Sequence, residues 1–437
     1  MNRTRVGLCT QTVLAAAGLG VLWHTVQAEP LPTPLSLDQA LALAGSPHPD
    51  LDRAQARLGA AHAGLTQAES VSGLRAQLEY TPQWVVPSVR TDDDWVNDSR
   101  LRFLASKRLY DFGRSRALED AARAEIEARE RQLLDVREGR RLEIMARFLD
   151  VWLADLRYMV DNEAMAHHYV NFDKSRERRK IGQISDIELL ELENRYQEAL
   201  IARTRSQKRQ AQSRQQLALA LNRPEELPAA LVLPRFPGND REPPDFRQAF
   251  EQARQNNPVL LAARREAESA GALVKAERAR RYPVLSLEGE AADYKREFAT
   301  RDDYRATLSL RVPFWQGGED RAAIQAAQAR LQEAQARLGR AELDLRQGVL
   351  DLVQEIETLR IERNAARIRN AWRDLYLDRS RALYELEART DLGDAMTRVT
   401  EAQWLAAQVE FRLALAWVRL EALTGSPLTP IPQEVTK

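Results

Sequence analysis

The pair of residues in this chain whose spacing most directly suggests chemistry is a glutamate and a histidine four positions apart. Glu163 and His167 have this spacing, and a helix would place both side chains on one face, where they could bind a metal ion. A zinc site needs at least a third protein ligand, and the sequence identifies none. The chain also lacks a phosphate-binding glycine loop, a zinc-protease helix and a nucleophile elbow. We therefore expect no catalytic residue, no cofactor and no metal site, and interpret Glu163 and His167 as part of a solvated helix face.

Two short segments that interrupt long helical stretches carry the other candidate functional residues. These residues are Gly182, Gln183, Ser185 and Glu188 in the first segment and Ala388, Arg389, Thr390, Asp391 and Asp394 in the second. Ser185 and Glu188 have the spacing of a capping box, and Asp391 is placed to cap the helix that follows it. These carboxylates could also face a pore, because a carboxylate that caps a helix can line a pore at the same time. The spacing alone leaves both roles open.

The two interruptions occupy equivalent positions in a duplicated chain. Residues 37–41 are echoed by 246–250, residues 109–113 by 314–318, and residues 182–188 by 388–394, always in the same order. Conserved order with a nearly constant shift predicts an internal duplication. The predicted organisation is a first repeat at 29–224, a proline-rich linker at 225–243, a second repeat at 244–427 and a C-terminal tail at 428–437.

Residues 1–28 have the features of a secretory signal peptide. Arg3 and Arg5 precede an apolar stretch at 13–23, and Val26-Gln27-Ala28 provides a cleavage site. The single cysteine, Cys9, lies before the apolar stretch, so we expect neither a disulfide nor a lipid-anchored cysteine in the mature chain. No later window is apolar enough for a transmembrane helix. The formal net charge of zero gives no indication of a nucleic-acid partner.

Long proline-free stretches predict long helices. No proline occurs from 88 to 223 or from 314 to 426, and the predicted helices are 114–180, 185–223, 318–387 and 391–424. The two longer helices, 114–180 and 318–387, would each span about 100 Å. Large apolar residues recur every seven positions at Ile324, Leu331, Leu338, Leu345, Leu352 and Leu359. This heptad pattern predicts close helix packing, and an ordinary antiparallel coiled coil would also satisfy it.

Four segments alternate strictly between apolar and polar residues. They are the predicted strands at about 74–87, 99–112, 283–294 and 303–315. One alternative is a soluble sheet, but no second apolar sheet is available to cover this one. Strands of this length with lipid-facing and lumen-facing sides are typical of outer-membrane barrels. Four strands leave two unpaired edges, which lipid cannot satisfy, so we expect the chain to oligomerise.

The whole arrangement resembles the TolC-type outer-membrane efflux family. The resemblance rests on the signal peptide, the duplicated unit, the strand ends at 109–113 and 313–318, and the helix starts at 182–185 and 389–394. It implies a mainly α fold with a small transmembrane β part: a homotrimer with a 12-stranded β-barrel and a periplasmic α-barrel. It further implies a location in the outer membrane of a Gram-negative bacterium, in contact with its lipid. The function would be the exit duct of a tripartite efflux or type I secretion system, opened by a periplasmic adaptor and an inner-membrane pump.

The resemblance also gives roles to the two interruptions. Arg389, Thr390, Asp391 and Asp394 would form the periplasmic entrance, with the carboxylates ringed by threefold symmetry and Arg389 and Thr390 holding the hairpin closed. Gly182, Gln183, Ser185, Glu188 and Ala388 would lie at the adaptor-docking tips. The chain departs from the family at Ala388, where glycine is usual. The alternatives are a periplasmic adaptor-like protein and an exported structural coiled-coil protein.

Overall fold

The computed structural model describes residues 30–86, 95–296, 301–386 and 392–425. The predicted signal peptide and C-terminal tail therefore lie outside the described residues. The helices are α1 (Leu37–Ala42), α2 (Pro49–Glu69), α3 (Arg114–Lys180), α4 (Asp186–Ala220), α5 (Phe246–Asn256), α6 (Pro258–Ala279), α7 (Glu319–Glu385) and α8 (Leu392–Thr424). The strands are β1 (Leu74–Thr81), β2 (Trp84–Val85), β3 (Val96–Asn97), β4 (Arg100–Tyr110), β5 (Val284–Tyr294) and β6 (Tyr304–Arg311).

Each half of the chain starts with a short helix and a medium helix that begin with equivalent caps. Ser36 forms a capping box at the start of α1, and Asp245 accepts two backbone hydrogen bonds at the start of α5. At the start of α2, His48 Nδ1 accepts a hydrogen bond from the backbone of Asp50 at 3.2 Å. At the start of α6, Asn257 Oδ1 accepts from the backbone of Leu260 at 2.9 Å. Different residues thus perform the same task at matching places in the two halves.

The helices α3 and α7 are the long elements of the molecule. Each has 67 residues, which corresponds to about 100 Å. Both begin directly after a glycine in the left-handed region, Gly113 at φ 85° and Gly318 at φ 91°. This conformation is readily available only to glycine and lets the chain turn sharply from strand into helix. The start of each long helix is therefore determined by a glycine in the connection that follows a strand.

The helices form a single layer in which α3 changes neighbours along its length. Near its start α3 packs between α2 and α6, and towards its end it packs between α4 and α8. The apolar contact of Leu51 with Leu133 belongs to the first region, and the hydrogen bond from Gln210 to Asp155 at 2.9 Å belongs to the second. The helix α7 packs against α6 and then against α8. The layer therefore continues from the sheet to the far helix ends.

The two largest apolar clusters lie where these neighbours change. One contains Phe148, Leu217 and Phe411, and the other contains Val349, Ile356 and Trp417. Among the predicted heptad residues, Ile324, Leu345 and Leu359 are buried, and the other three are half-buried. The heptad pattern of α7 therefore marks a packed face, as predicted.

The main sheet has four antiparallel strands in the order β1-β4-β5-β6. The pairing of β4 with β5 joins the two halves of the chain. Its register places Ala76, Ala105, Gly289 and Ala306 in one row, so the apolar positions of all four strands share one face. Large side chains on that face are exposed, including Leu78 at 68% and Leu308 at 64%. The predicted separation into an apolar and a polar face is confirmed.

The strand ends differ from the predicted ones. The strand predicted at 74–87 stops at Thr81, and the separate strand β2 pairs with β3. The strand predicted at 303–315 stops at Arg311, because Pro313 has no N–H to donate to a ladder. In β4 a bulge makes Leu109 an extra residue, and Lys107 lies on the apolar face opposite Leu74 and Leu287. No helix in the described parts of the chain is long and apolar enough to cross a membrane.

Candidate functional site

The first tip, between α3 and α4, is closed by backbone and capping hydrogen bonds. Gly182 adopts φ 76° and donates its N–H to the carbonyl of Arg179 at 3.0 Å. The backbone N–H of Glu188 donates to Ser185 Oγ at 3.2 Å, and the backbone N–H of Ser185 donates to Glu188 Oε2 at 2.8 Å. The latter hydrogen bond lowers the pKa of Glu188. The predicted capping box is confirmed, so the geometry of this tip is specified locally.

An ion pair across the same tip was not predicted. Arg179, in the last turn of α3, donates to both carboxylate oxygens of Asp186, in the first turn of α4, at 2.5 and 2.8 Å. This bidentate contact lowers the pKa of Asp186. The neighbouring Arg178 donates to Gln183 Oε1 at 3.3 Å. A basic last turn followed by an acidic first turn was the sequence signal that identifies such a clamp.

Apolar side chains project from this tip among the charged ones. Ile181 is 69% exposed, Ile187 is 80% exposed and Leu190 is 63% exposed. Gln183, which precedes the capping box, is also exposed. An apolar patch rimmed by charged residues is typical of a surface that binds another protein. The first tip is therefore a rigid turn with an apolar surface.

The second tip is described only on its two sides. Ala388, Arg389, Thr390 and Asp391 lie outside the described residues, between the end of α7 at Glu385 and the start of α8 at Leu392. Asp394 lies in the first turn of α8, with its side chain 54% exposed and its carboxylate 3.5 Å from Arg398. The predicted ring of carboxylates at this tip stays a prediction. Pairing of Asp394 with Arg398 along the same helix was not predicted.

The start of α8 is held against α3 by the residues that the spacing analysis first identified. Thr400 donates its hydroxyl to Glu163 Oε2 at 2.6 Å, and the imidazole of His167 lies directly over Gly393. The interpretation of Glu163 and His167 as a solvated face is therefore wrong, because α8 covers that face. Within the described ranges no cluster of three or more His, Cys, Asp or Glu residues could hold a metal ion. These two residues connect helices of the two halves.

A third contact continues the same interface one to two turns away. The guanidinium of Arg157 on α3 lies 4.9 Å from the ring centroid of Trp404 on α8. Arg157 is itself oriented by Asp161 at 2.9 Å. The interface thus contains cation–π, hydroxyl–carboxylate and imidazole–glycine contacts along antiparallel helices. It couples the start of α8 to α3, which in turn packs against α4.

Comparison with known proteins shows a likeness in sequence over the second half of the chain and in fold over nearly all of it. Residues 249–426 match the model of the outer membrane efflux protein family. A comparison with curated protein sequences found no match. Solved structures with the same fold include the CmeC outer membrane channel of Campylobacter jejuni, with a TM-score of 0.74 at 13% identity, covering 97% of this chain and 94% of that one.

Two further solved structures are similar to a comparable extent. The outer membrane protein VceC of Vibrio cholerae has a TM-score of 0.71 at 18% identity, over 89% of this chain and 96% of that one. The MtrE outer membrane channel of Neisseria gonorrhoeae, in its open state, has a TM-score of 0.72 at 17% identity, over 89% of each chain. At such identities the likeness establishes the fold. The predicted resemblance to the TolC-type outer-membrane efflux family is therefore confirmed, by the family's sequence pattern over residues 249–426 and by its fold over nearly the whole chain.

Proposed function

We propose that this protein is a homotrimeric outer-membrane channel that serves as the passive exit duct of an efflux or type I secretion system. The observation that carries the proposal is the continuity of an open, two-faced sheet with a helical layer about 100 Å long. A soluble coiled-coil protein would not be expected to contain a sheet whose apolar side chains are exposed. An adaptor with one helical hairpin would not contain two complete repeats.

The sheet supports a trimer because it cannot satisfy its own edges. In the described sheet β1 and β6 each pair along one side only. Exposed edges of this kind are excluded from lipid, where unpaired backbone groups have no water to bind. Three copies of a four-stranded sheet give twelve strands, with the apolar face towards lipid and the polar face towards a water-filled lumen.

The helical layer also has an unpaired apolar edge. Ile361, Ile368 and Leu375 of α7 recur every seven residues, yet they are 73%, 64% and 71% exposed. Within the described residues α7 does not touch α4, which carries exposed apolar residues such as Leu190 and Ile201. A heptad seam normally contacts another helix. In the proposed trimer, α4 of the next copy covers this seam and completes the periplasmic tunnel.

The two tips then form the periplasmic end of the tunnel. Asp391 and Asp394 of three copies would surround the entrance, and Arg389 and Thr390 would hold the hairpin formed by α7 and α8 in its closed position. The apolar surface of Ile181 and the adjacent first tip suits a periplasmic adaptor, which would connect the channel to an inner-membrane pump. The pump supplies the energy and selects the cargo, and the channel conducts passively.

The assembly is tested by light scattering of the purified protein in detergent. We expect a mass three times that of the mature chain. A stable monomer or dimer would overturn the proposal, because neither supplies the twelve strands of the proposed barrel. Heat-modifiable migration on a denaturing gel and fractionation with outer membranes provide the matching tests of barrel formation and location.

The entrance is tested by ion selectivity in planar bilayers. Asp394→Ala, alone and together with Asp391→Ala, should reduce cation selectivity and weaken block by multivalent cations. Arg389→Ala should raise the single-channel conductance. Asp186→Ala is the control, since Asp186 is also an exposed carboxylate, on the first tip, that we do not place at the entrance. Equal selectivity changes in the control and the Asp394 variants would show that the entrance is wrongly placed.

A further inference from the structure

We propose that the apolar face of the sheet carries, at its helical end, a binding site for the headgroup of an anionic phospholipid, formed by Lys107 beside an aromatic rim of Tyr110, Phe112 and Tyr282. This inference rests on the proposed function, because only a sheet that faces lipid presents these residues to a membrane. It adds the chemical class of lipid that the sheet binds and the leaflet in which that lipid lies.

The apolar face of the described four-stranded sheet carries two charged residues, one near each end. Asp293 lies opposite Leu101 at the end remote from the helices, and its carboxylate is 4.0 Å from Lys295. Lys107 lies near the helical end, between β1 and β5. The other positions of this face are occupied by leucine, alanine, glycine, phenylalanine and tyrosine. Lys107 is therefore the cation of this face within the described sheet.

The carboxylates close to β4 pair with its arginines and leave Lys107 without a counter-charge. Arg102 pairs with Glu79 and Glu290 on the polar face, and Arg108 pairs with Asp111. Lys107 forms no ion pair with any residue that the structure describes, and its side chain is exposed. An ammonium group that faces lipid without a counter-charge is unfavourable. It is stabilised when an anion of the membrane takes the place of the missing carboxylate.

The immediate neighbours of Lys107 are exposed leucines. The register places it in one row with Leu74, Leu287 and Leu308. Both adjacent strands belong to the same chain, so this row is complete without a second copy. In the proposed channel these leucines contact acyl chains. The leucine row therefore provides the apolar part of a lipid site, and Lys107 provides the charged part.

The ammonium group of Lys107 is within reach of only one membrane interface. The next row of the apolar face, in which Tyr110 lies opposite Leu285, is two residues nearer to the helices along β5, or about 7 Å. The flexible stem of a lysine covers a distance of this order. The row of Leu101, at the other end, is six residues away along β4, or about 20 Å. The helical end is the periplasmic end of the proposed channel, so the lipid lies in the periplasmic leaflet.

An aromatic cluster marks the level of the headgroups at this end. The rings of Tyr110 and Phe112 meet edge-on at 4.8 Å, and those of Phe112 and Tyr282 stack at 5.3 Å. All three side chains are exposed, as are Phe314 and Trp315 after β6. Aromatic residues of outer-membrane barrels concentrate at the two membrane interfaces. The ammonium of Lys107 thus extends to the depth at which lipid phosphates lie.

The chemistry of these groups favours a headgroup with net negative charge. A lysine ammonium binds a phosphate as a point charge, and tyrosine hydroxyls such as those of Tyr110 and Tyr282 can donate to its oxygens. A zwitterionic headgroup brings its own cation, which competes with Lys107 for the phosphate. Inorganic phosphate lacks the acyl chains that contact the leucine row. The combination selects an anionic phospholipid over both.

Native mass spectrometry of the detergent-solubilised protein measures this selection directly. The purified protein is titrated with phosphatidylglycerol or with phosphatidylcholine, and we expect the wild type to retain phosphatidylglycerol several-fold more strongly. Lys107→Gln should remove this preference, and Lys107→Arg should keep it. Arg311→Gln is the matched control and should also keep it, because Arg311 is an exposed cation at the same end of the sheet that lies opposite Val284 on the polar face.

Two results of this titration would overturn the proposal. One is a Lys107→Gln variant with the same preference for phosphatidylglycerol as the wild type. The other is displacement of bound phosphatidylglycerol by an equal concentration of inorganic phosphate, which would show that the site binds phosphate and not a lipid.

Reconstitution into liposomes separates this proposal from the proposed function. The wild type and Lys107→Gln are mixed with liposomes of phosphatidylcholine, with and without phosphatidylglycerol, and flotation and conductance are measured. If both proteins insert and conduct but neither prefers phosphatidylglycerol, the channel stands and the lipid site is refuted. If the wild type floats with neither kind of liposome, the proposed membrane function fails, and the lipid site fails with it.

Discussion

Arg102 Nε of β4 and Glu290 Oε1 of β5 form an ion pair at 2.7 Å across the boundary between the two halves of the chain. Arg102 also lies 3.7 Å from Glu79 on β1, so one arginine connects three strands on the polar face of the sheet. The side chains of Arg102 and Glu290 are only 23% and 15% exposed. The polar face therefore carries charges that neutralise one another within the sheet.

This pair should contribute measurably to the stability of the sheet. We expect a double-mutant cycle of Arg102→Gln and Glu290→Gln to give a coupling free energy of about 0.5–3 kcal/mol. The measurement is the free energy of unfolding in urea of the detergent-solubilised protein. The control cycle combines Arg305→Gln with Glu288→Gln, two charged residues of the same face for which the described structure shows no mutual ion pair. Equal coupling in both cycles would show that the Arg102–Glu290 contact has no special role.

The two faces of the sheet should respond oppositely to an added charge. Leu308 lies opposite Leu287 on the apolar face, and Thr307 lies opposite Glu288 on the polar face. Leu308→Arg should cost about 2–4 kcal/mol if the position is near the bilayer midplane and less towards an interface. Thr307→Arg should insert normally. The measurement is the yield of heat-modifiable protein in outer membranes.

The result at Thr307 decides the orientation of the sheet. If Thr307→Arg reduces the yield more than Leu308→Arg, the lipid-facing and lumen-facing sides are assigned the wrong way round. Lys107 provides a natural reference, because it occupies the same row as Leu308 on the apolar face. A long lysine side chain can extend its charge towards the membrane interface, so we expect the cost of Leu308→Arg in this row to lie at the lower end of that range.

Local patterns were sufficient to predict most of the fold. The helix predicted at 114–180 runs from Arg114 to Lys180, because a glycine in the left-handed region starts it and the turn at Gly182 ends it. The alternation in the strands predicted their two faces, since side chains of a strand point alternately to opposite sides. Features that depend on one segment at a time were thus accessible from the sequence.

Features that depend on the pairing of distant segments were not accessible. The choice of α8 as the neighbour of α3 explains why Glu163 and His167 are covered, and no local pattern around residue 163 specifies that choice. The bulge at Leu109 shifts the alternation, so that Tyr110 instead of Leu109 pairs with Leu285 in the row of apolar positions. Both cases depend on which distant segment pairs with the residue in question, and the local sequence does not specify that partner.

Arg140 should stabilise the region where α3 contacts the ends of two other helical segments. Its side chain is buried, and it donates from Nε to the carbonyl of Ala44 at 3.3 Å and from Nη2 to that of Ala220 at 3.4 Å. These carbonyls end helical segments and have no partner further along their own helix. Burial lowers the pKa of Arg140, and the charges of Glu143 and Asp50 oppose this shift. The helix ends that face the guanidinium also favour its positive charge.

Removing this guanidinium should leave two buried carbonyls without a donor. We expect Arg140→Met to lower the free energy of unfolding by about 1–3 kcal/mol, measured by circular dichroism in urea. Arg147→Met on the same helix is the control, since Arg147 is more exposed and its ion pair is with Asp150, at 3.6 Å. An exposed pair of this kind contributes about 1 kcal/mol or less. Equal losses in the two variants would contradict the capping role of Arg140.

His48 should make the stability of α2 depend on pH. Its Nδ1 accepts the backbone hydrogen bond that caps the helix, which requires an unprotonated nitrogen. Burial, aided by Arg140, lowers the pKa of His48 below the usual value for histidine. A histidine with a lowered pKa in the folded state stabilises that state above the unfolded value of about 6.5. This contribution is lost as the pH falls below that value.

The second half of the chain supplies the variant that tests this cap. Asn257 caps α6 at the position equivalent to His48, and asparagine does not titrate. His48→Asn should therefore keep the cap, worth about 1 kcal/mol, and remove its pH dependence between about pH 7.5 and about pH 5. Asn257→His is the reciprocal variant and should introduce a loss of stability in acid. The measurement is the urea midpoint followed by circular dichroism at each pH. If His48→Asn and the wild type lose stability equally as the pH falls, His48 does not act as a titratable cap.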